Sequence, residues 1–439
     1  VLVAAPTKIA PITGLFEDCL QTTARAYARR APVLNNPERT LRSLKPIDSR
    51  LRQLGDSARY YGAYALRAAQ RDHADTAIRE GGGAVFNWLT CALALERPAS
   101  EILSLLDSVA PEHSMAARDA LWFAAEVPGP SLLRELLHSQ DEDFVQLGIE
   151  LSGLLTHSRL GPYLPALTQH PRLGSAALLG LVRSGHLPPG FEADITSRLN
   201  SGDSLQQRHA LQTIAVSGQT VAPDLVGEQA HLLLQGRSTD LESGASALAL
   251  ATIWNPLQTL HPLVQGRHEL GDLAYRCIAL VGTVEGLLWA CKKMAQQDQA
   301  PRCAQLDVLQ TILGVVPMEL RERPGDGPAR ATALRQAVHG FLVRNGCAGL
   351  TPLDLANWDT DVLRGNAWPI GETRFRAGRP WRAGELLSPA ADVSHGLRSW
   401  LYAELAFTHQ RPTALHAHDL AARQLQAMEA FAMVDELAA

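Results

Sequence analysis

From about residue 130 the chain repeats itself in outline. Apolar helical stretches end near Leu155, Arg183, Ser217, Ile253, Val281 and Gly314, spaced roughly 28 to 36 residues apart. Each follows a shorter helical stretch and a turn rich in Pro, Gly, Ser or Asp. A unit of that length is a pair of helices, too small to bury both apolar faces alone, so successive pairs must stack. The rhythm predicts an all-α fold of HEAT- or armadillo-like helical hairpins.

One unit shows the pattern. In GPSLLRELLHSQDEDFVQLGIELSGLL, residues 129–155, Leu132, Leu133, Leu136 and Leu137 line one face of a first helix. Asp141, Glu142 and Asp143 form the turn and give the next helix a favourable acidic N-terminus. Phe144, Leu147, Leu151, Leu154 and Leu155 line the second helix, and Leu164, Leu167, Leu178, Leu179 and Leu181 continue the stack.

Three sections follow from this rhythm: an N-terminal helical region (1–125), the repeats (130–320), and a C-terminal helical region (332–439) containing an irregular Trp- and Arg-rich segment. RERPGDGPARA, residues 321–331, reads as a linker between the last two. In the first section one helix is expected to end near Pro32, and another to open at Pro46 with Asp48 as its cap. Gly81 to Gly83 are not followed by the Lys-Ser/Thr of a phosphate loop, so they read as punctuation before a buried helix, Ala84 to Leu95.

The chain is 46% hydrophobic, mostly Leu and Ala, with 5% aromatics, which favours helices over strands. A net charge of −5 gives no global field for a polyanion, so nucleic acid is disfavoured as a partner. The opening VLVAAPTKIAPITG is too short in apolar run for a signal peptide, and no window reaches the length of a membrane span. A cytoplasmic protein without membrane contact is expected. Cys19, Cys91, Cys277, Cys291, Cys303 and Cys347 are scattered without zinc spacing and read as buried thiols in a reducing compartment.

The usual catalytic patterns are missing: there is no G-x-S-x-G elbow, no H-E-x-x-H and no dinucleotide fingerprint. Neither an enzyme nor a cofactor or metal is expected. The best local exception is LHAHD, with His416, His418 and Asp419, whose two imidazoles would point about 200° apart on a helix. In RFRAGRPWRAG, residues 374–384, guanidinium groups alternate with Phe375 and Trp381. Without a wider basic field, Arg374, Phe375, Arg376, Arg379 and Trp381 read as a clasp that stacks on rings and pairs with carboxylates, rather than as a nucleic-acid grip.

The N-terminal pattern Glu17, Arg29, Arg30, Leu41, Leu44, Asp48, Arg50, Leu51 and Gly55 resembles the opening of a proteobacterial family of HEAT-like α-solenoid proteins associated with type VI secretion effector loci. Arg374, Phe375, Gly378 and Pro380, then Leu386, Leu387, Arg398, Glu404, Leu405 and Ala406, are similar to its C-terminal signature. The stretch HGLRSWLYAELAF departs from the second Ala/Leu-rich, Arg-bearing run common there. The resemblance implies an α-solenoid encoded beside type VI secretion components and their toxic effectors; with the helical repeats and the missing active site, this leads to a protein-binding immunity protein that blocks a toxin effector, a nuclease being one candidate, or else to an adaptor that loads an effector onto the secretion spike. Acidic residues at Asp141, Glu142, Asp143, Asp240 and Glu242 would then face a basic toxin surface, although each also suits a helix cap. A hydrolase assembled from distant residues is the third reading.

Overall fold

The computed structural model describes residues 13–35, 40–76, 81–123, 130–152, 164–265, 270–322, 326–347, 351–358, 373–382, 390, 392–413, 415–417 and 419–438. It is predominantly helical. The first helices are α1 (Thr13–Asn35), α2 (Leu41–Tyr61), α3 (Ala63–Thr76), α4 (Gly81–Ala94), α5 (Ala99–Asp107) and α6 (Ser114–Phe123). Then come α7 (Pro130–Leu137), α8 (Glu142–Ser152), α9 (Leu164–Leu167), α10 (Gly174–Arg183), α11 (Phe191–Leu199) and α12 (Ser204–Ser217). They continue as α13 (Pro223–Leu234), α14 (Leu241–Trp254), α15 (Pro256–Gln265), α16 (Asp272–Val281), α17 (Val284–Gln296) and α18 (Cys303–Leu313). After α19 (Met318–Glu322) and α20 (Gly327–Arg344) come a short antiparallel hairpin, β1 (Phe375–Arg376) and β2 (Arg379–Pro380), and two last helices, α21 (His395–His409) and α22 (Ala421–Ala438).

Alternate helices form a row. α4, α6, α8, α10, α12, α14, α16 and α18 each touch the next, and from α8 onward each also packs against the helix just before it in sequence. α10 is apolar nearly all round because it is covered on more than one side, whereas α8 and α12 keep a polar face. In α10 every residue from Gly174 to Val182 is buried, and in α16 Cys277 to Val281 are buried. α10, α12 and α16 end at Arg183, Ser217 and Val281, where the sequence rhythm places them. Leu154 and Leu155 lie outside the described residues, whereas Leu132, Leu133, Leu136, Leu137 and Leu151 are buried together.

Both ends of the chain fold back on this row. α1, α2 and α3 pack on α4, α21 packs across α12 and α16, and α22 packs on α2. Leu34, Leu41 and Leu44 therefore share one buried cluster with Val226, Leu309 and Leu397. The three sections expected from the sequence meet in common cores.

Two local expectations need correcting. α1 runs through Pro32 to Asn35 and α2 begins at Leu41, so Pro46 lies inside a helix. Asp48 is accordingly a buried mid-helix residue, not a cap of its own helix. Of the expected linker, residues 323–325 lie outside the described set, and from Gly327 the chain is helical, with Asp326 capping α20 through the Ala329 N–H at 3.0 Å. Gly81 does open a helix, α4, and Gly83 permits a close approach: a Cβ there would sit 2.9 Å from the Ala24 backbone of α1. No described helix is long and apolar enough to cross a membrane.

Candidate functional site

A helix leaves its last carbonyls without partners, and a row of helices leaves them side by side. The hairpin at 375–380 lies over two such ends. Phe375 N–H donates to Gly282 O at 2.8 Å beyond α16, while Ala377 and Gly378 N–H donate to Thr311 O and Ile312 O of α18, both at 2.8 Å. The tight turn is met by Ala377 and Gly378, which both take positive φ. Further along, Thr413 N–H donates to Val216 O at the end of α12 at 2.9 Å.

The arginines of the hairpin complete this arrangement. Arg374 Nε donates to Val281 O at 3.0 Å and its Nη2 to Leu280 O at 2.7 Å. Arg376, with none of its surface exposed, donates through Nη2 to Leu280 O at 2.6 Å and to both carboxylate oxygens of Glu404 at 2.9 Å. Arg374 also donates to Glu404, which projects from α21. Burial by itself would raise the Glu404 carboxyl, but the Arg376 and Arg374 guanidiniums outweigh it and hold it below the usual carboxylate range. Burial weighs on Arg376 in the opposite sense and lowers it. The Arg374 guanidinium also lies 4.9 Å from the Trp381 ring centroid, and Phe375 packs edge-on against Phe341 at 5.0 Å. Arg379 differs: it is exposed on β2, in register with Arg376.

A cavity of about 460 Å³ opens beside Glu404 and Arg374. Trp254 at the end of α14, Trp381 and Phe407 of α21 form its aromatic walls, and Gly218 to Thr220 form a rim. Phe407 meets Trp254 edge-on at 5.7 Å. Glu404 is held as a carboxylate between two guanidiniums, so it is unsuited to exchange protons near neutral pH. The one carboxylate on the cavity wall is already engaged.

Of the acidic residues expected to face a partner, the carboxylates of Asp141, Glu142, Asp240 and Glu242 are engaged within the chain, and Asp143 contributes its N–H. Asp141 Oδ1 accepts from Asp143 N–H at 2.8 Å at the start of α8, and Glu142 pairs with Arg172 just before α10. Asp240 caps α14 through Glu242 N–H at 3.1 Å, accepts from Ser243 at 2.7 Å, and accepts from Arg208 Nε of α12 at 2.9 Å. Those donors, Arg208 first, draw its carboxyl down to about 2. Glu242 pairs with the same arginine, and Asp272 with Arg302 at 3.0 Å repeats the motif between α16 and α18. Ion pairs thus tie N-terminal ends of neighbouring row helices. Beside them Leu205 and Leu241 stand in solvent, 54% and 70% exposed.

Of the LHAHD group, His418 lies outside the described residues. His416 packs on Trp122, ring centroids 4.7 Å apart, and Asp419 accepts from Trp122 Nε1 and pairs with Arg423, both at 3.2 Å. Arg423 in turn donates to Trp122 O and Phe123 O at the end of α6, at 3.1 and 2.7 Å. No group of three or more His, Cys, Asp or Glu side chains that could hold a metal occurs among the described residues.

One buried aspartate, Asp307, escaped sequence reasoning, and another, Asp48, caps a different helix from the one its sequence suggests. Asp307 of α18 accepts from Ser394 N–H at 2.8 Å and from its hydroxyl, so it caps α21 from a distant helix. Asp48 pairs with Arg30 at 2.8 Å and accepts from Ala421 N–H at 2.7 Å, capping α22. For Asp307 the available signal was an acid placed singly in an apolar helical run, as Glu404 is in SWLYAELAF; Asp48 has polar neighbours and no such signal. Comparison with family models, with characterised proteins and with solved structures gives no match to this chain.

Proposed function

We propose that the chain is a HEAT-like α-solenoid of the cytoplasm that binds one protein partner, and that it acts as an immunity protein neutralising a type VI secretion toxin effector. The observation that carries the solenoid reading is the row of alternate helices from α4 to α18, in which α8 to α16 each pack on their own preceding helix and on two row neighbours, and α18 on its preceding helix and α16. The secretion context comes from the resemblance carried by the N-terminal pattern and the R-F-x-x-G-x-P stretch.

The far ends of α6, α12, α16 and α18 are met by the chain's own C-terminal segment, and the opposite rim is the proposed contact surface. There Leu205 and Leu241 flank Arg208, Asp240 and Glu242, giving apolar anchors ringed by charge. Asp141, Glu142 and Asp143 extend the rim towards α8. A basic toxin surface would compete with Arg208 and Arg172 for these carboxylates, so the leucines carry more of the proposed affinity than the acids.

The test is co-expression with the effector encoded beside this chain. Rescue of a sensitive bacterium together with co-purification is the expected result, and Leu205→Asp with Leu241→Asp is expected to abolish both. A stable complex without rescue would replace immunity by the adaptor reading. Neither rescue nor complex would sink both.

A further inference from the structure

The clasp holds more positive charge than it neutralises. Arg374 and Arg376 both face Glu404, the only carboxylate paired with either among the described residues. Arg376 has no exposed surface and donates to both Glu404 oxygens, so these two form the compensated pair and the surplus falls on Arg374. Leu280 O and Val281 O at the end of α16 offset only part of it, since a helix C-terminus carries roughly half a negative charge. The remainder lies in the wall of the cavity of about 460 Å³, which Arg374 lines and Arg376 does not.

Arg374 also keeps a donor in reserve. Its Nε and Nη2 are engaged by Val281 O, Leu280 O and Glu404, whereas its Nη1 has no partner among the described residues and is not one of the atoms sealed from solvent. The side chain as a whole is 16% exposed. Those bonds and the stack on Trp381 fix the guanidinium, so an entering anion meets a donor already oriented. Beside it Trp254, Trp381 and Phe407 supply flat apolar walls, and the volume falls in the range of roughly 300–1,000 Å³ usual for small-molecule sites. We propose that this cavity binds a small planar aromatic monocarboxylate, its carboxylate on Arg374 and its ring against the aromatic walls. An inorganic anion would gain the charge without the walls, and a neutral ring the walls without the charge.

This inference is independent of the protein-partner reading, and its test uses the full chain alone. Benzoate, its neutral isostere benzamide, and acetate, a carboxylate without a ring, separate the two requirements when titrated by calorimetry and ligand-observed NMR at low ionic strength. Saturable benzoate binding is expected, with benzamide and acetate each at least about tenfold weaker. Thr220 is exposed on the cavity wall, so a charge placed there alters the local field without disturbing the core. Relative to Thr220→Gln, Thr220→Glu is expected to weaken benzoate binding at least about threefold, and Thr220→Lys to strengthen it. Absence of saturable benzoate binding up to about 10 mM would overturn the site. Benzamide bound as tightly as benzoate would overturn the charge argument, and acetate bound as tightly would overturn the role of the aromatic walls. Equal benzoate affinity in Thr220→Glu and Thr220→Gln would overturn the placement in this cavity.

Discussion

Glu404→Gln is the sharpest test of what holds the C-terminal segment on the row. The substitution keeps size and one acceptor oxygen but removes the only side-chain anion facing Arg374 and Arg376 among the described residues. Arg376 has no exposed surface, so its charge cannot turn to water. Removing one partner of a buried ion pair typically costs about 3–5 kcal/mol, because the remaining charge stays buried and uncompensated. At 1.4 kcal/mol per factor of ten, that makes opening of the hairpin at least about a hundredfold easier. Hydrogen exchange reads this locally. The amides of Phe375, Ala377 and Gly378 bond to Gly282, Thr311 and Ile312 and report whether the hairpin is seated. The companion variant Arg376→Met with Glu404→Leu removes the fully buried pair and leaves only Arg374, whose side chain is 16% exposed and still bonds to Val281 O, so it is expected to cost less than Glu404→Gln alone, although it leaves Leu280 O with fewer donors. If Glu404→Gln leaves those amides protected and the urea midpoint unchanged, the clasp is not what holds the segment. The same holds if the double variant is the worse of the two.

Two further outcomes follow from the same geometry. Burial raises the Asp307 carboxyl from 3.8 to about 6 against the pull of Ser394. A folded-state value above the unfolded one adds stability that is full below about pH 4 and lost as pH rises through 6, a swing of about 3 kcal/mol. Asp307→Asn, which keeps an acceptor for Ser394 N–H, should flatten this part of the urea midpoint profile between pH 4 and 7; an unaltered profile assigns the pH dependence elsewhere. Gly282 has φ +71°, and a Cβ there would fall on Arg376 Nη1 and 3.0 Å from Phe375 O, whereas Gly185, φ +89°, has open space around it. Gly282→Ala is therefore expected to lower thermal stability by clearly more than Gly185→Ala, which carries only the backbone strain of roughly 1 kcal/mol; equal effects would show that the hairpin does not press on the end of α16.

Much of the helix row was legible because its signal is local. Leu132, Leu133, Leu136 and Leu137 share a face by spacing alone, and the ends of α10, α12 and α16 are written in the turn residues that follow them. Cys277, buried four residues from Val281 on an apolar face, has its thiol pushed up to about 12, as expected of an inert core cysteine. What escaped was the partner in each contact made between residues far apart in the chain. Asp48 looks like the cap of a nearby helix because Pro46 precedes it, yet its carboxylate serves Ala421. Asp240 could be read equally as a cap or as a contact for a partner, and only the position of Arg208 on the neighbouring helix distinguishes an internal pair. Trp254, Trp381 and Phe407 come from separate stretches, and nothing local in any of them announces a common cavity.

The long-range contacts follow one rule of reciprocity. Helices of the row present their C-terminal carbonyls to the last section of the chain, which answers with donors: Arg423 at α6, Thr413 N–H at α12, Arg374 and Arg376 at α16, and Ala377 and Gly378 N–H at α18. The last two helices need acceptors at their own N-termini and take them from Asp307 of the row and Asp48 of α2. Each side thus satisfies groups that the other leaves open, and neither set can be buried without the other. A nearest-neighbour stack tolerates the loss of a terminal unit, since each unit rests on its neighbours alone. Here removal of α21 and α22 would uncover carbonyl ends at α6 and α12, take Glu404 from the α16 clasp and strand Asp307 inside α18, so the row and the C-terminal segment should unfold as one unit.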